Sequence, residues 1–170
     1  MAFGRSRRPL TEEEKSSDLA KARARALETL AAQEISSGQL YERLCRRFTE
    51  QTAAAVVAEM VEREYLDDDR YAELRARGLL AARKSRRAAA QNLRQKGLAP
   101  RQIEAALESV YTPDEEGEDP ELEAACALVE SRYRTKLASG RRDLVVAALM
   151  RRGFGYPIIK EALRRAEEEY

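Results

Sequence analysis

Apolar residues recur at helical spacing along almost the whole chain, and no window alternates apolar with polar long enough to suggest a strand. Leu19, Ala22, Ala26 and Leu30 mark a first stripe. Leu40, Leu44 and Phe48, then Ala53, Val57 and Met60, mark a second and third. Tyr71, Leu74 and Gly78 or Leu79 open another series, and Leu122, Cys126, Val129, Tyr133 and Leu137 form the clearest stripe of all. The pattern predicts an all-α protein.

The stripes repeat. Ala89-Ala90-Gln91-Asn92-Leu93-Arg94-Gln95-Lys96-Gly97-Leu98 aligns with Val145-Val146-Ala147-Ala148-Leu149-Met150-Arg151-Arg152-Gly153-Phe154. Ile103 and Leu107 follow the first copy as Ile159 and Leu163 follow the second. Each copy reads as two helices joined by a tight turn. Gly97 and Gly153 suit the position after a helix end where φ is positive and a Cβ would clash. Pro100 and Pro157 suit the first turn of the next helix. A weaker copy around Leu40–Met60 lacks the glycine between Arg47 and Phe48. With a helix ahead of each pair, the reading is three tandem three-helix modules, 18–66, 67–111 and 120–168, stacked into an elongated, curved array. Residues 1–17 are expected to form a loosely attached or disordered arm, and 112–119 an acidic linker with proline near both ends.

Composition agrees. Of 170 residues 44% are hydrophobic but only 6% aromatic, with 8 glycines and 5 prolines, a mixture that favours helix. With 31 basic and 30 acidic residues, net charge says nothing about partners. Cys45 and Cys126 lie far apart and read as free thiols in a reducing compartment. The start, Met1–Leu10, has no apolar signal core, and no run approaches membrane-spanning length; a cytoplasmic monomer is expected. The chain has no histidine, which removes the usual general base and the commonest transition-metal ligand. Asp67, Asp68 and Asp69 stand in a row but lack ligand spacing for calcium; Asp67 or Asp68 reads as the cap of a helix starting near Asp69, its neighbours favoured by the helix dipole. Lys84-Ser85 has no glycines before it to cradle phosphate. No catalytic residues, metal or cofactor are expected, and the chain is not expected to be an enzyme.

Charge is distributed unevenly. From Arg70 to Arg101 ten cations face one acid, Glu73. Acids gather in the linker, in the last helix of the first module and at the C-terminus. Basic charge follows the middle helices, so stacking predicts a discontinuous basic ridge made of Arg43, Arg46, Arg47, Arg70, Arg77, Arg83, Lys84, Arg86, Arg87, Arg94, Lys96, Arg141, Arg142, Arg151 and Arg152. Such a ridge suits a polyanion or an acidic groove. A helix-turn-helix reader of DNA has the right outline, yet the last helices of the first two modules carry acids where phosphates would lie. Direct, non-specific contact with single- or double-stranded DNA stays open, as does a scaffold for another acidic protein.

The block Tyr65-Leu66-Asp67-Asp68-Asp69-Arg70-Tyr71-Ala72, with Arg77 and Gln95-Lys96-Gly97-Leu98 further on, resembles the RecX family of bacterial modulators of the RecA recombinase. The resemblance covers about residues 18–168 and marks Tyr65, Leu66, Asp67, Asp68, Tyr71, Gly97 and Gly153 as structural positions. It implies tandem three-helix modules and a non-enzymatic, negative regulator. The partner would be the RecA nucleoprotein filament, bound along its groove with ATP hydrolysis and strand exchange restrained, in homologous recombination, DNA repair and the SOS response. The chain departs from the family where Glu64 replaces a common glycine, where Leu79 replaces a frequent second arginine after Arg77, and where Ala82–Arg87 replaces a glycine-rich stretch.

Overall fold

The computed structural model describes residues 8–113 and 117–168; the start of the expected arm and the centre of the expected linker lie outside them. The helices, in order, are α1 (Leu19–Ala32), α2 (Ser37–Leu44), α3 (Glu50–Glu62), α4 (Asp68–Ala81), α5 (Arg86–Gln95), α6 (Pro100–Tyr111), α7 (Pro120–Leu128), α8 (Arg134–Ala138), α9 (Arg142–Arg151) and α10 (Tyr156–Glu168). A π-helical turn, Val129–Tyr133, joins α7 to α8 without a loop. Among the described residues there is no strand, only a single bridge between Ser16 and Phe48. The chain divides into two compact units, residues 1–71 and 72–170. The second and third expected modules thus share one compact unit, and α4 starts in the first unit and continues into the second.

In the first unit, α1, α2 and α3 bury Ala22, Ala26, Leu40, Leu44, Ala53, Val56 and Met60, with Phe48 and Leu66 closing the core. Val56 and not Val57 is the fully buried valine of α3. Each helix begins at a hydrogen-bonding side chain: Asp18 accepts from the Lys21 N–H, Ser36 from Gln39 and Thr49 from Thr52. Residues 8–17, read as a loose arm, are docked instead. The Ser16 N–H donates to Arg47 O at 2.9 Å and its carbonyl accepts from the Thr49 N–H at 3.0 Å. Glu12 accepts from the Glu50 N–H at 2.7 Å, giving α3 a second cap from outside its own helix.

Five helix ends share one hydrogen-bond pattern, in which a left-handed residue and its successor each donate back into the last turn. After α5, Gly97 N–H donates to Arg94 O at 2.9 Å, and after α9 Gly153 N–H donates to Met150 O at 2.9 Å. Gly140 does the same after α8. Two of the five places are held by other residues: Glu64 at φ 58° and Arg83 at φ 56°. An L-residue there carries strain of about 1–2 kcal/mol. The α2–α3 turn has no positive-φ residue, so the glycine absent from that copy is not needed.

α4 buries a different face from the one its large residues suggest. Ala72 and Ala76 are fully buried while Leu74 is 46% exposed. Small side chains on that face allow close helix approach, and Leu79 and Leu80 extend it as half-buried positions. In the second unit α10 packs along α7 and α5 along α6. Leu122, Leu128, Val129, Tyr133, Val145, Leu149, Phe154, Ile159 and Leu163 form one core, with Leu80 packed against it.

Candidate polyanion-binding surface

The fold sorts the predicted cations into two sets. The first set has structural employment. Arg83 donates from Nη1 to Ala127 O at 3.1 Å and to Ser131 Oγ at 2.6 Å, tying the end of α4 to the π turn region. Arg86 donates its backbone N–H to Glu121 at 3.1 Å and its guanidinium reaches Glu108 at 3.3 Å. Arg152 donates from Nε to the Tyr133 hydroxyl at 3.0 Å. Arg77 pairs with Glu73 at 2.6 Å, Arg142 pairs with Glu167, and Arg43 lies against the side-chain amide of Gln33. Lys96 ends α5 half-buried.

The second set is exposed and pairs with no carboxylate among the described residues: Arg46, Arg47 and Arg70 in the first unit, and Lys84, Arg87, Arg94, Arg141 and Arg151 in the second. Arg87 and Arg94 lie on one stripe of α5, opposite the buried Ala89 and Leu93. The α9–α10 turn packs on the first turn of α5, since a Cβ on Gly153 would lie 3.6 Å from Arg87 Cβ and 3.6 Å from Ala88 N. Arg87 therefore flanks the turn that follows Arg151, the last residue of α9.

That junction is built on Ser85, which is fully buried. Its hydroxyl donates to Arg152 O at 2.8 Å and accepts from the Ala88 N–H at 3.1 Å, so one side chain caps α5 and fixes the α9 turn. Tyr111, also buried, donates to Lys84 O at 3.0 Å. Glu121 is held above the ordinary carboxylate range, chiefly by burial, against the lowering effect of the Arg86 N–H. Burial likewise raises the Tyr111 hydroxyl and the Cys126 thiol, leaving the thiol a poor nucleophile. Ser85, Tyr111 and Glu121 were not singled out as site residues by the sequence; a serine directly before a helical run was the available signal for the first.

The aspartate row divides its work. Asp67 caps α4, accepting from the Arg70 N–H at 2.9 Å. Asp68 turns away to the start of α2, accepting from the Ser37 N–H at 2.8 Å and from the Ser37 hydroxyl. Leu66 is buried and Tyr65 is 57% exposed, while Tyr71 reaches Gln39 at 3.4 Å. Among the described residues no group of three or more His, Cys, Asp or Glu could hold a metal ion, and no helix is long and apolar enough to cross a membrane.

These features define a class: an all-helical protein that presents free guanidinium groups and, among the described residues, no cluster of metal-ligating side chains. Residues 67–107 match the family model described as RecX, second three-helix domain. A crystal structure of RecX from Lactobacillus salivarius superposes with a TM-score of 0.75 at 19% identity, covering 88% of this chain and 96% of that one. A crystal structure of regulatory protein RecX gives 0.72 at 24% identity, covering 84% of this chain and 70% of that one. No curated protein sequence matches this chain at significance. The chain thus shares the fold of those RecX structures, and its residues 67–107 are similar to a RecX second three-helix domain, as the Tyr65–Ala72 block suggested.

Proposed function

We propose that this chain is a non-enzymatic modulator of the RecA recombinase that binds in the groove of the RecA–DNA filament and restrains ATP hydrolysis and strand exchange. The observation that carries the reading is the match of residues 67–107 to the RecX domain, the same segment that bears Arg70, Lys84, Arg87 and Arg94 free of carboxylate partners. An exposed run of unneutralised guanidinium groups is unfavourable for an isolated fold and favourable against a polyanion or an acidic wall. Arg83, Arg86, Arg142 and Arg152 are engaged within the chain, so they serve the surface by positioning helices and not by direct contact. Control is by contact: a ligand that spans neighbouring filament subunits favours one geometry only as far as it binds that geometry better.

The test is to add the protein to RecA, single-stranded DNA and ATP. Hydrolysis and strand exchange should fall as the protein saturates, and the double variant R87Q/R151Q should need more protein for the same effect. Rates unchanged at saturation overturn the proposal. A second reading, direct binding of naked DNA, is favoured by the same cations and is separated by comparing affinity for bare strand and for filament.

A further inference from the structure

The docked arm creates a groove that the ridge of middle-helix cations does not explain. It lies in the first unit between residues 8–15 and the end of α2, with a volume of about 850 Å³, within the range of about 300–1,000 Å³ typical of small-molecule sites. Four cations line it from two segments far apart in sequence: Arg8 and Lys15 from the arm, Arg46 and Arg47 from the turn after α2. Glu42 is the one carboxylate in the lining. We propose that this groove binds the phosphate groups of a nucleotide, free or within a nucleic-acid strand.

The walls are preorganised. The backbone bonds between Ser16 and residues 47 and 49 hold the arm against the α2–α3 turn. Glu14 orients Arg8 at 2.6 Å and Glu12 orients Lys15 at 2.8 Å. Glu12 is engaged a second time by the Glu50 N–H, which leaves it less able to screen the groove. Arg46 and Arg47 pair with no carboxylate among the described residues, and their planar forks suit bidentate contact with phosphate oxygens. Two arginines after α2 also suit the negative end of that helix, but this does not account for Arg8 and Lys15 converging on the same space. Pro9, Cys45 and Leu10, the last 43% exposed, add an apolar patch beside the cations, where a base or sugar can rest. A nucleotide supplies dense negative charge and an apolar face within that volume; an acidic peptide of equal charge needs a longer, extended path.

The experiment omits RecA, so its outcome is independent of the functional reading above. Calorimetry with ATP and with tripolyphosphate, and fluorescence anisotropy with a labelled short oligo-dT, are run on wild type, R46Q/R47Q and R87Q/R151Q. At least one probe should bind saturably and more weakly as salt rises. R46Q/R47Q should lose about tenfold or more in affinity, while the free protein still unfolds in one cooperative thermal transition because both side chains are exposed. R87Q/R151Q should leave binding of ATP or tripolyphosphate intact. If the strand is the source, its salt slope should flatten in R46Q/R47Q by about 0.7 for each phosphate that the variant no longer neutralises; ATP and tripolyphosphate binding without the strand assigns the groove to a free nucleotide. Failure of all three probes to bind, or equal affinity in wild type and R46Q/R47Q, overturns the proposal.

Discussion

Gly153 is the position where the packing within the second unit can be measured most sharply. Its φ is +90°, and a Cβ there would lie 2.7 Å from Ser85 Oγ. Gly140 offers the matched control, with φ +73° and nothing within 4 Å of the place a Cβ would take. Gly140→Ala should therefore cost only the left-handed strain, about 1–2 kcal/mol. Gly153→Ala carries similar strain and must also displace a buried hydroxyl that donates to Arg152 O and accepts from Ala88 N–H. Stranding a buried polar group costs about 1–3 kcal/mol, so the total is about 2–5 kcal/mol. Urea denaturation followed by circular dichroism gives both values. Ser85→Ala completes a cycle: it loses the cap and the bond to Arg152 O on its own, but removes the atom the new methyl would strike. S85A/G153A should then be less destabilised than the sum of the single variants by about 1 kcal/mol or more. Equal costs for G153A and G140A, with additivity in the cycle, would refute the Ser85–Gly153 junction and with it the packing of the α9–α10 turn on the first turn of α5.

Other outcomes follow from the same geometry. Glu64→Gly should stabilise by about 0.5–1 kcal/mol, because glycine relieves left-handed strain but is more flexible when unfolded. Arg83→Gly should gain less than that or lose stability, since it also breaks the bonds to Ala127 O and Ser131; equal gains at the two sites in thermal melts would mean the Arg83 clamp is idle. Gly78 sits in α4 with open space where a Cβ would point, so Gly78→Ala should stabilise by about 0.5–1 kcal/mol on helix propensity alone. Leu93→Ala, at a fully buried site, should cost about 2–5 kcal/mol in urea titrations. Glu121 has a folded pKa raised above its ordinary 4.5, so the folded state holds that proton more tightly than the unfolded chain. Its contribution to stability is then most favourable at low pH and declines as pH rises from 4.5 through the raised value. Glu121→Gln keeps an acceptor for the Arg86 N–H and should flatten that decline in urea midpoints taken from about pH 4 to about pH 8.

Much of the fold was legible because the chain marks its helix ends locally. Gly97 and Gly153 announce positive φ, Pro100 and Pro157 announce first turns, and the overlay of Leu93 on Leu149 places the same core position in two modules. The face that α4 buries is not legible in the sequence, because Tyr71 and Leu74 outweigh Ala72 and Ala76 on any hydrophobic count, while the packing selects the small face. The docking of residues 8–17 is not legible either, because the anchors at Ser16 are backbone groups, which leave no mark in residue type. The surface was half legible. Clustering of cations shows in sequence, but which of them are neutralised depends on carboxylates such as Glu108 and Glu167, brought from other helices 22 and 25 residues away. Asp68 illustrates the same point at 31 residues, leaving its own helix to hold Ser37.

The central claim is that free guanidinium groups on α5 and α9 seat this chain on a RecA filament, and co-sedimentation measures it most directly. Filaments of RecA on single-stranded DNA should carry wild-type protein into the pellet, far more of it than bare strand does, and should carry less of R87Q/R151Q at equal concentration. Equal recovery of the two proteins with filament, or no preference for filament over bare strand, would contradict the account.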